Sequence, residues 1–185
     1  MNTALILVDI QRDYFPGGKM EVVGATDACF GARFLLNHYR EKELPIIHVQ
    51  HVSARPDATF FLPDTEGLSF HEKVAPLPHE IVVQKHFPNS FRDTDLKKHL
   101  VSMEIEELVI CGMMSHMCID ATVRAAFDMG YSCIVAHDAC ATRDLEFNGV
   151  RIPAAHVHGS FMAALGAVYA RLMTVRGIIE RKRPD

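Results

Sequence analysis

The sequence lacks an apolar run of the roughly 18–20 residues that a membrane-spanning helix needs. No basic residues precede its first apolar run, residues 4–8, which ends at Asp9 and does not have the pattern of a secretory signal peptide. Positive charge is also scarce, because 19 Lys and Arg stand against 23 Asp and Glu, and the one basic cluster is Arg181-Lys182-Arg183. We interpret that cluster as a solvated tail and expect neither a membrane nor a nucleic-acid partner.

Zinc-ligand spacing is absent too, since no C-x-x-C pair or similar pattern occurs, and the five cysteines are odd in number. Reduced thiols in the cytoplasm are the simplest interpretation. The chain has 185 residues, of which 49% are hydrophobic, and it contains no internal repeat. This length predicts one domain over residues 1–185, with a core that needs no disulfide or metal.

Apolar strand patterns and amphipathic helix patterns alternate along the chain. The strongest helical pattern follows Gly24, where apolar residues recur every three or four positions from Ala25 to Tyr39. Such alternation is typical of a parallel sheet with helices on both faces. We therefore predict an α/β protein with a three-layer α/β/α Rossmann-like fold and a six-stranded, mostly parallel sheet. The predicted strands are residues 4–8, 46–49, 81–84, 108–111, 132–136 and 173–175, and the predicted helices are 25–39, 93–103, 115–130 (capped by Ser115) and 153–171.

From His51 to Glu80 the periodicity is lost, and four prolines interrupt the segment. A loop of this length inside a compact domain usually has a function. We predict that the 51–80 loop serves either as a lid over a ligand or as a contact in an oligomer. Phe60 and Phe61 in this loop would close over the ligand or bury against a neighbouring subunit.

Three chemically distinct residues follow predicted strands. Asp9 follows the first strand, Lys85 the third, and Cys118 lies beyond the fourth, at the start of a helix. Sheets of this kind bind ligands beyond the carboxyl ends of their strands, so the three side chains are expected to share one crevice. There a thiolate would attack a carbonyl and an acid would move the proton, while the ammonium and the helix N-terminus lower the pKa of the thiol. The plainer alternative is that Asp9 caps a turn, Lys85 is solvated and Cys118 packs.

Four segments, in order, resemble the isochorismatase-like cysteine hydrolases. Residues 9–15, DIQRDYF, resemble the family's D-x-Q-x-D-[FY] opening, and residues 85–91, KHFPNSF, are similar to its K-x-x-x-S-[AG]-F segment. Residues 112–122, GMMSHMCIDAT, look like its G-x-x-[TS]-x-x-C-[VI]-x-x-T signature, and residues 137–141, HDACA, resemble its D-A-[CS]-[AG] stretch. The resemblance therefore covers most of the chain.

By position, the resemblance implies that Cys118 is the nucleophile, Asp9 the general base and then acid, and Lys85 the positive third member of a catalytic triad. It also implies a cis peptide bond between Met113 and Met114. In that arrangement the N–H groups of Met114 and Cys118 would point toward the substrate oxygen and form an oxyanion hole.

The sequence departs from the metal-binding pattern of the family's nicotinamidases. Those enzymes hold a metal after the second strand through a D-x-H pattern and a further histidine, whereas residues 50–54 here read QHVSA. His48 and His51 are three apart near a strand and tend to face opposite sides, and His156 and His158 do not converge on a helix. We therefore expect no metal and no cofactor, and nicotinamidase activity is disfavoured.

Aromatic residues and a histidine within the motif segments are candidates for substrate binding. Tyr14, Phe15 and Phe91 are expected to form an apolar wall of the crevice. His116, two residues before Cys118, is expected to contact a polar group at the crevice mouth. Each has a plainer alternative, because aromatic rings often belong to the core and a histidine at a helix start is often solvated.

The presence of a cysteine distinguishes two reactions of the family that this chain resembles. The isochorismatases of that family hydrolyse a vinyl ether with the aspartic acid and do not require a thiol. Cys118 therefore favours a metal-independent cysteine hydrolase that cleaves a C–N bond of a small amide, carbamoyl or ureido compound through a thioester. The alternatives are a vinyl-ether hydrolase that uses Asp9 as its acid, and a non-catalytic member of the fold. The resemblance also implies a homo-oligomer, either a dimer or a tetramer.

Overall fold

The computed structural model describes residues 2–181, which contain a six-stranded sheet and a separate two-stranded hairpin. The strands are β1 (Thr3–Val8), β2 (Ile46–His51), β3 (Ile81–Lys85), β4 (Glu107–Met113), β5 (Ser132–Ala141), β6 (Leu145–Phe147), β7 (Val150–Ile152) and β8 (Arg171–Met173). The α-helices are α1 (Ala25–Glu41), α2 (Leu96–Ser102), α3 (Asp120–Asp128), α4 (Ala154–Val168) and α5 (Val175–Glu180). All neighbours in the large sheet are parallel, in the order β3-β2-β1-β4-β5-β8.

Both faces of the large sheet are buried under helices, which confirms the predicted α/β/α layers. Leu5 and Leu7 of β1 belong to the core on the side of α1 and α5. Ala4, Ile6 and Val8 belong to the core on the side of α2, α3 and α4. Successive strand residues point to opposite faces, so a strand covered on both sides is apolar at every position.

The carboxyl ends of β4 and β5 extend further than the sequence predicted. The predicted strands end at residues 111 and 136, but pairing resumes after a register shift, with Gly112 opposite Cys140 and Met113 opposite Ala141. Gly112 has a φ of 125°, and a Cβ on it would lie 2.0 Å from the Val8 carbonyl oxygen, so only glycine fits there. This extension brings the end of β5 beside the residues that follow β4.

The helix ends also differ from the prediction. The third predicted helix begins with a π-helical turn, Ser115–Ile119, whose N-cap is Met114. The predicted Ser115 cap is wrong, because the Ser115 hydroxyl lies 2.8 Å from the His158 ring instead. The last predicted strand is displaced to β8, because Thr174 caps α5 with its side chain. In addition, α2 and α4 are shorter than predicted, and the β6–β7 hairpin was not predicted.

The 51–80 loop folds back against its own chain beside the end of β1. Phe61 is fully buried there, with its ring 4.6 Å from that of Tyr14, and its amide donates to the Asp13 carboxylate at 2.6 Å. Gly67 lies against the same carboxylate, which leaves no space for a Cβ. Phe61 is therefore not available to a neighbouring subunit, whereas Phe60 is only partly buried.

The carboxyl-terminal residues of the described chain are tied to the fold. Arg181, predicted as part of a solvated tail, instead pairs with the Glu107 carboxylate, and both side chains are largely buried. Lys182 and Arg183 of the predicted basic cluster lie outside the described residues. Within residues 2–181, no helix combines the length and the apolar character needed to cross a membrane.

Candidate active site

The carboxyl ends of three strands bring Asp9, Lys85 and Cys118 into contact. Asp9 directly follows β1, Lys85 ends β3, and Cys118 lies in the π-helical turn after β4. The Lys85 Nζ lies 2.7 Å from the Asp9 Oδ2 and 3.2 Å from the Cys118 Sγ. Asp9 and Lys85 are completely buried, and Cys118 is 4% exposed. The three residues selected from the sequence thus form one buried cluster at the edge where such sheets bind ligands.

Only one of the two Asp9 carboxylate oxygens is hydrogen-bonded within the described chain. Its Oδ2 accepts a hydrogen bond from Lys85, but its Oδ1 is buried and has no partner among the described residues. The Asp9 backbone has a φ of 53°, in the left-handed region that residues other than glycine adopt infrequently. Unpaired buried polar atoms and strained backbone are both concentrated at functional sites. Asp9 is therefore a stronger candidate for chemistry than for a structural turn.

The segment that carries Cys118 departs from regular backbone geometry in two places. The Met113–Met114 peptide bond is cis, in agreement with the resemblance. The π-helical turn follows at once, and such turns are frequent at functional sites. The Ser115 hydroxyl fastens the turn by donating to the Ala141 carbonyl at 3.3 Å. The end of β5 thus supports the segment that holds the sulfur.

Burial and charge act in opposite directions on Lys85 and Cys118. Burial alone would lower the pKa of Lys85, but the Asp9 charge and the hydrogen bonds to Asp9 and Cys118 raise it, so the ammonium stays charged. For Cys118, burial and then Asp9 raise the pKa of the thiol well above its usual 9.0, and Lys85 offsets only part of this. The predicted low pKa of the thiol is therefore wrong. A fully buried sulfur beside a carboxylate loses more by desolvation than one ammonium restores.

His51 is a fourth side chain at this site that the sequence analysis did not select. It lies opposite Lys85 in the pairing of β2 and β3, and its Nδ1 is 3.0 Å from the Lys85 Nζ. The buried Gln11 side chain binds the carbonyl and the amide of His51 at 2.9 and 2.8 Å. The sequence offered one signal for this contact, the glutamine of the D-x-Q segment. A buried side-chain amide needs polar partners, and here those partners are backbone groups of His51.

One group of potential metal ligands occurs in the described part of the chain: Asp9, His51 and Cys118, with ligand atoms within 4.8 Å of one another. Each of these residues has an atom within hydrogen-bond distance of the Lys85 ammonium. An ammonium in this position repels a metal cation and already supplies the positive charge. The residues therefore fit a lysine-centred cluster better than a metal site, and the expected absence of a metal stays a prediction.

Two of the predicted substrate-binding residues lie close to the cluster. Tyr14 is buried, and burial, followed by the charges of Cys118 and Asp9, raises the pKa of its phenol. His116 is half-buried, and its Nδ1 lies 2.6 Å from the Thr142 Oγ1. His116 thus joins the start of the π-helical turn to the residue that follows β5.

Phe15 and Phe91 have the surroundings of core residues. The Phe15 ring lies 4.1 Å from the His71 ring, and the Phe91 ring stacks on Tyr131 at 6.2 Å. The two phenylalanines belong to cores on opposite faces of the sheet. They do not form one wall, and a contact of either with a substrate stays a prediction.

Arg143 is a second residue that the sequence analysis did not select. It lies just beyond β5, is half-buried, and makes no ion pair with a carboxylate of residues 2–181; its Nη1 lies 2.8 Å from the Met20 Sδ. Burial, and then the Arg143 charge, lower the pKa of His116. Nothing local distinguishes Arg143 from other arginines, because its position beside the Cys118 turn depends on the pairing of β4 with β5.

Comparisons with known proteins cover nearly the whole chain. The isochorismatase domain family matches residues 3–156. YddQ of Bacillus subtilis (strain 168), an isochorismatase family protein, is 51% identical over 180 residues, which are 97% of this chain and 100% of that protein. Streptothricin hydrolase of Streptomyces noursei is 36% identical over 142 residues, which are 77% of this chain and 50% of that protein.

Solved structures agree with these matches. The crystal structure of an isochorismatase hydrolase from Oleispira antarctica has a TM-score of 0.94 and 50% identity over 97% of both chains. The family consists of hydrolases and includes amidohydrolases. This chain therefore belongs to the isochorismatase family of hydrolases.

Proposed function

We propose that this protein is a cysteine hydrolase that cleaves a C–N bond of a small amide, carbamoyl or ureido compound through a thioester. The observation that carries the proposal is the contact of the Lys85 ammonium with both the Asp9 carboxylate and the Cys118 sulfur in a buried site. A base, a cation and a nucleophile in mutual contact are the groups that covalent acyl transfer requires. Membership of a family that includes amidohydrolases supports the same reaction.

In the proposed reaction Asp9 acts first as a base and then as an acid. Its unpaired Oδ1 takes the proton of the Cys118 thiol while the sulfur attacks the carbonyl carbon and a C–S bond forms. The tetrahedral intermediate then loses the C–N bond, and Asp9 returns the proton to the leaving nitrogen. Water, deprotonated by Asp9, adds to the thioester carbon, and departure of the acid product regenerates the thiol.

Lys85 and backbone amides stabilise the charges that develop. The ammonium contacts both partners, so it compensates the negative charge as this moves from Asp9 to the sulfur. We assign the N–H groups of Met114 and Cys118 to the oxyanion, because Met114 caps the turn that contains Cys118. Since burial raises the pKa of the thiol, the thiolate forms together with the attack and not in the free protein.

The surroundings of the cluster favour a small substrate that carries a negative charge. The reacting groups are buried, so only a small compound can reach them. Arg143 places a guanidinium without a carboxylate partner in the described chain beside the Cys118 turn, where a carboxylate of the substrate could pair with it. We therefore expect amides and N-carbamoyl compounds that bear a carboxylate to be among the substrates.

Ammonia release from a panel of small amides and N-carbamoyl amino acids tests the proposal. Cys118→Ala should reduce turnover at least about 1,000-fold, because no other group forms the thioester. Its free energy of unfolding should stay close to that of the native protein. Cys133→Ala, which changes a buried cysteine at the far end of β5, is the matched control and should keep its turnover.

The two rival functions give different results with the same variants. A vinyl-ether hydrolase would release pyruvate from isochorismate, and would keep its turnover in Cys118→Ala but lose it in Asp9→Ala. A non-catalytic member of the fold would bind small molecules without forming product. Either result would overturn the thioester mechanism.

We further propose that the protein acts as a homo-oligomer in the cytoplasm. All five cysteines are buried and free, as expected of a protein in a reducing compartment. The homo-oligomer follows from the resemblance alone, and its mass in solution can be measured by light scattering coupled to size-exclusion chromatography.

A further inference from the structure

The contact between His51 and Lys85 is built into the sheet. The two residues are directly opposite in the parallel pairing of β2 and β3, so their side chains leave the sheet on the same face. The His51 Nδ1 lies 3.0 Å from the Lys85 Nζ. The reaction proposed above assigns no role to this contact.

The Lys85 ammonium has more acceptors than protons. Its three N–H groups face Asp9 Oδ2 at 2.7 Å, His51 Nδ1 at 3.0 Å, the Phe87 carbonyl oxygen at 3.1 Å and Cys118 Sγ at 3.2 Å. Asp9 and Cys118 exchange a proton in the proposed reaction, so their strengths as acceptors change during turnover. His51 and the Phe87 carbonyl do not change, and they are the two fixed points that can hold the ammonium.

His51 suits this task because its ring is neutral. Burial, and then the Lys85 charge, lower the pKa of His51 from 6.5 to about 4. The charged and titratable groups around the ring are Lys85, Asp9, His86 and Cys118. At neutral pH the ring therefore carries its proton on Nε2 and presents Nδ1 as an acceptor to the ammonium.

The backbone of His51 is fixed relative to Asp9 by hydrogen bonds, and its ring packs against Phe61. Gln11, two residues beyond Asp9, binds both backbone groups of His51 through its side chain and also donates to the Leu68 carbonyl at 2.9 Å. The Phe61 ring lies 5.9 Å from the imidazole. These contacts restrict the movement of Nδ1 while the proton moves between Asp9 and the sulfur.

We infer that His51 is a positioning residue that holds the Lys85 ammonium between Asp9 and Cys118 by accepting a hydrogen bond from it at Nδ1. The inference rests on the proposed function, because it assumes that Lys85 takes part in the reaction. Without His51, the charged Asp9 becomes the dominant acceptor and draws the ammonium away from the sulfur. The developing thiolate is then less well stabilised, so catalysis slows although the substrate binds as before.

Three variants of the full chain test this role. His51→Leu removes the acceptor, and His51→Asn restores an acceptor oxygen near the position of Nδ1. His86→Leu makes the same change at an exposed neighbour of Lys85 and serves as the control. We expect His51→Leu to lower kcat about ten-fold with KM unchanged, because one hydrogen bond to a charged group is lost. His51→Asn should recover most of the loss, and His86→Leu should behave as the native protein does.

A second readout needs no substrate. The rate at which iodoacetamide alkylates Cys118 at about pH 9, followed by peptide mass mapping, is proportional to the small fraction of thiolate that Lys85 stabilises. This rate should fall in His51→Leu and recover in His51→Asn. An unchanged or higher rate in His51→Leu, or no recovery in His51→Asn, would overturn the inference. If the native protein hydrolysed no amide, the proposed function would fail, and the alkylation series would still decide the role of His51.

Discussion

Strand β3 has a buried ionic cluster at each end, and both clusters combine a carboxylate, a cation and a histidine from β2. The first, here called the site cluster, consists of Asp9, His51, Lys85 and Cys118. The second, the amino-end cluster, consists of Arg40, His48 and Glu80. The two histidines are three residues apart in β2, so one strand contributes to both clusters.

The two clusters differ in how many hydrogen bonds their carboxylate oxygens accept. The Glu80 carboxylate accepts two bonds from Arg40 at 2.7 and 2.8 Å, one from His48 at 2.9 Å and one from the Leu77 amide at 2.8 Å. The Asp9 carboxylate keeps a buried oxygen without a partner in the described chain. A saturated buried carboxylate stabilises the fold, whereas an unsaturated one retains an atom that can take a proton. We therefore expect the amino-end cluster to stabilise the fold and the site cluster to carry out the proposed chemistry.

Lys85→Met should have the largest effect, because it removes both the charge that we propose for catalysis and the ion-pair partner of Asp9. Turnover should fall at least about 100-fold, because the ammonium no longer stabilises the thiolate. The free energy of unfolding should fall by about 3–5 kcal/mol, because a buried carboxylate is left without its cation. Ammonia release and denaturant unfolding measure the two effects. Lys98→Met, at an exposed position, is the control, and native turnover in Lys85→Met would contradict the assignment.

Glu80→Gln should weaken the fold and leave the chemistry intact. We expect the free energy of unfolding to fall by about 2 kcal/mol, because Arg40 and the Leu77 amide lose a charged acceptor. The value of kcat should equal that of the native protein. Urea unfolding and steady-state kinetics measure both, with the exposed Glu104→Gln as the control. Loss of turnover without loss of stability would show that Glu80 contributes to the chemistry and not to the stability of the fold.

The same variant should change the response of stability to acid. Burial alone would raise the pKa of Glu80, but the bonds from Arg40, the Leu77 amide and His48 lower it from 4.5 to about 2. A carboxylate whose pKa is lower in the folded than in the unfolded chain adds stability above the unfolded value, and that stability is lost as pH falls from 4.5 toward about 2. Unfolding midpoints across this range should decline less steeply in Glu80→Gln, and equal slopes would contradict the prediction.

His48→Leu should have the smallest effect and sharpens the contrast with His51→Leu. The bond to Glu80 is lost, but the buried Nδ1 without a partner in the described chain is removed too, so at about pH 8 stability should change by less than about 1 kcal/mol. Burial lowers the pKa of His48, so native stability should fall as pH drops below 6.5, and that of the variant should fall less. Unfolding curves measure this response. A large loss of turnover in His48→Leu would show that the two clusters are not separate.

The sequence by itself determined the layers and the three candidate reactive residues. The run over residues 4–8 is apolar at every position because both faces of β1 are buried, and that pattern is local. Asp9 and Lys85 come together because parallel strands end at the same edge of a sheet, whatever the details of packing. The resemblance added the cis bond between Met113 and Met114, which composition and spacing did not indicate.

The tertiary structure alone decided the partners and the electrostatics. The His51–Lys85 contact depends on the register of β2 and β3, which no single segment encodes. The raised pKa of the Cys118 thiol depends on burial from all sides. The core surroundings of Phe15 and Phe91 depend on His71 and Tyr131, which are distant from them in sequence. Periodicity reports which face of an element is covered, whereas register and desolvation arise only when distant segments meet.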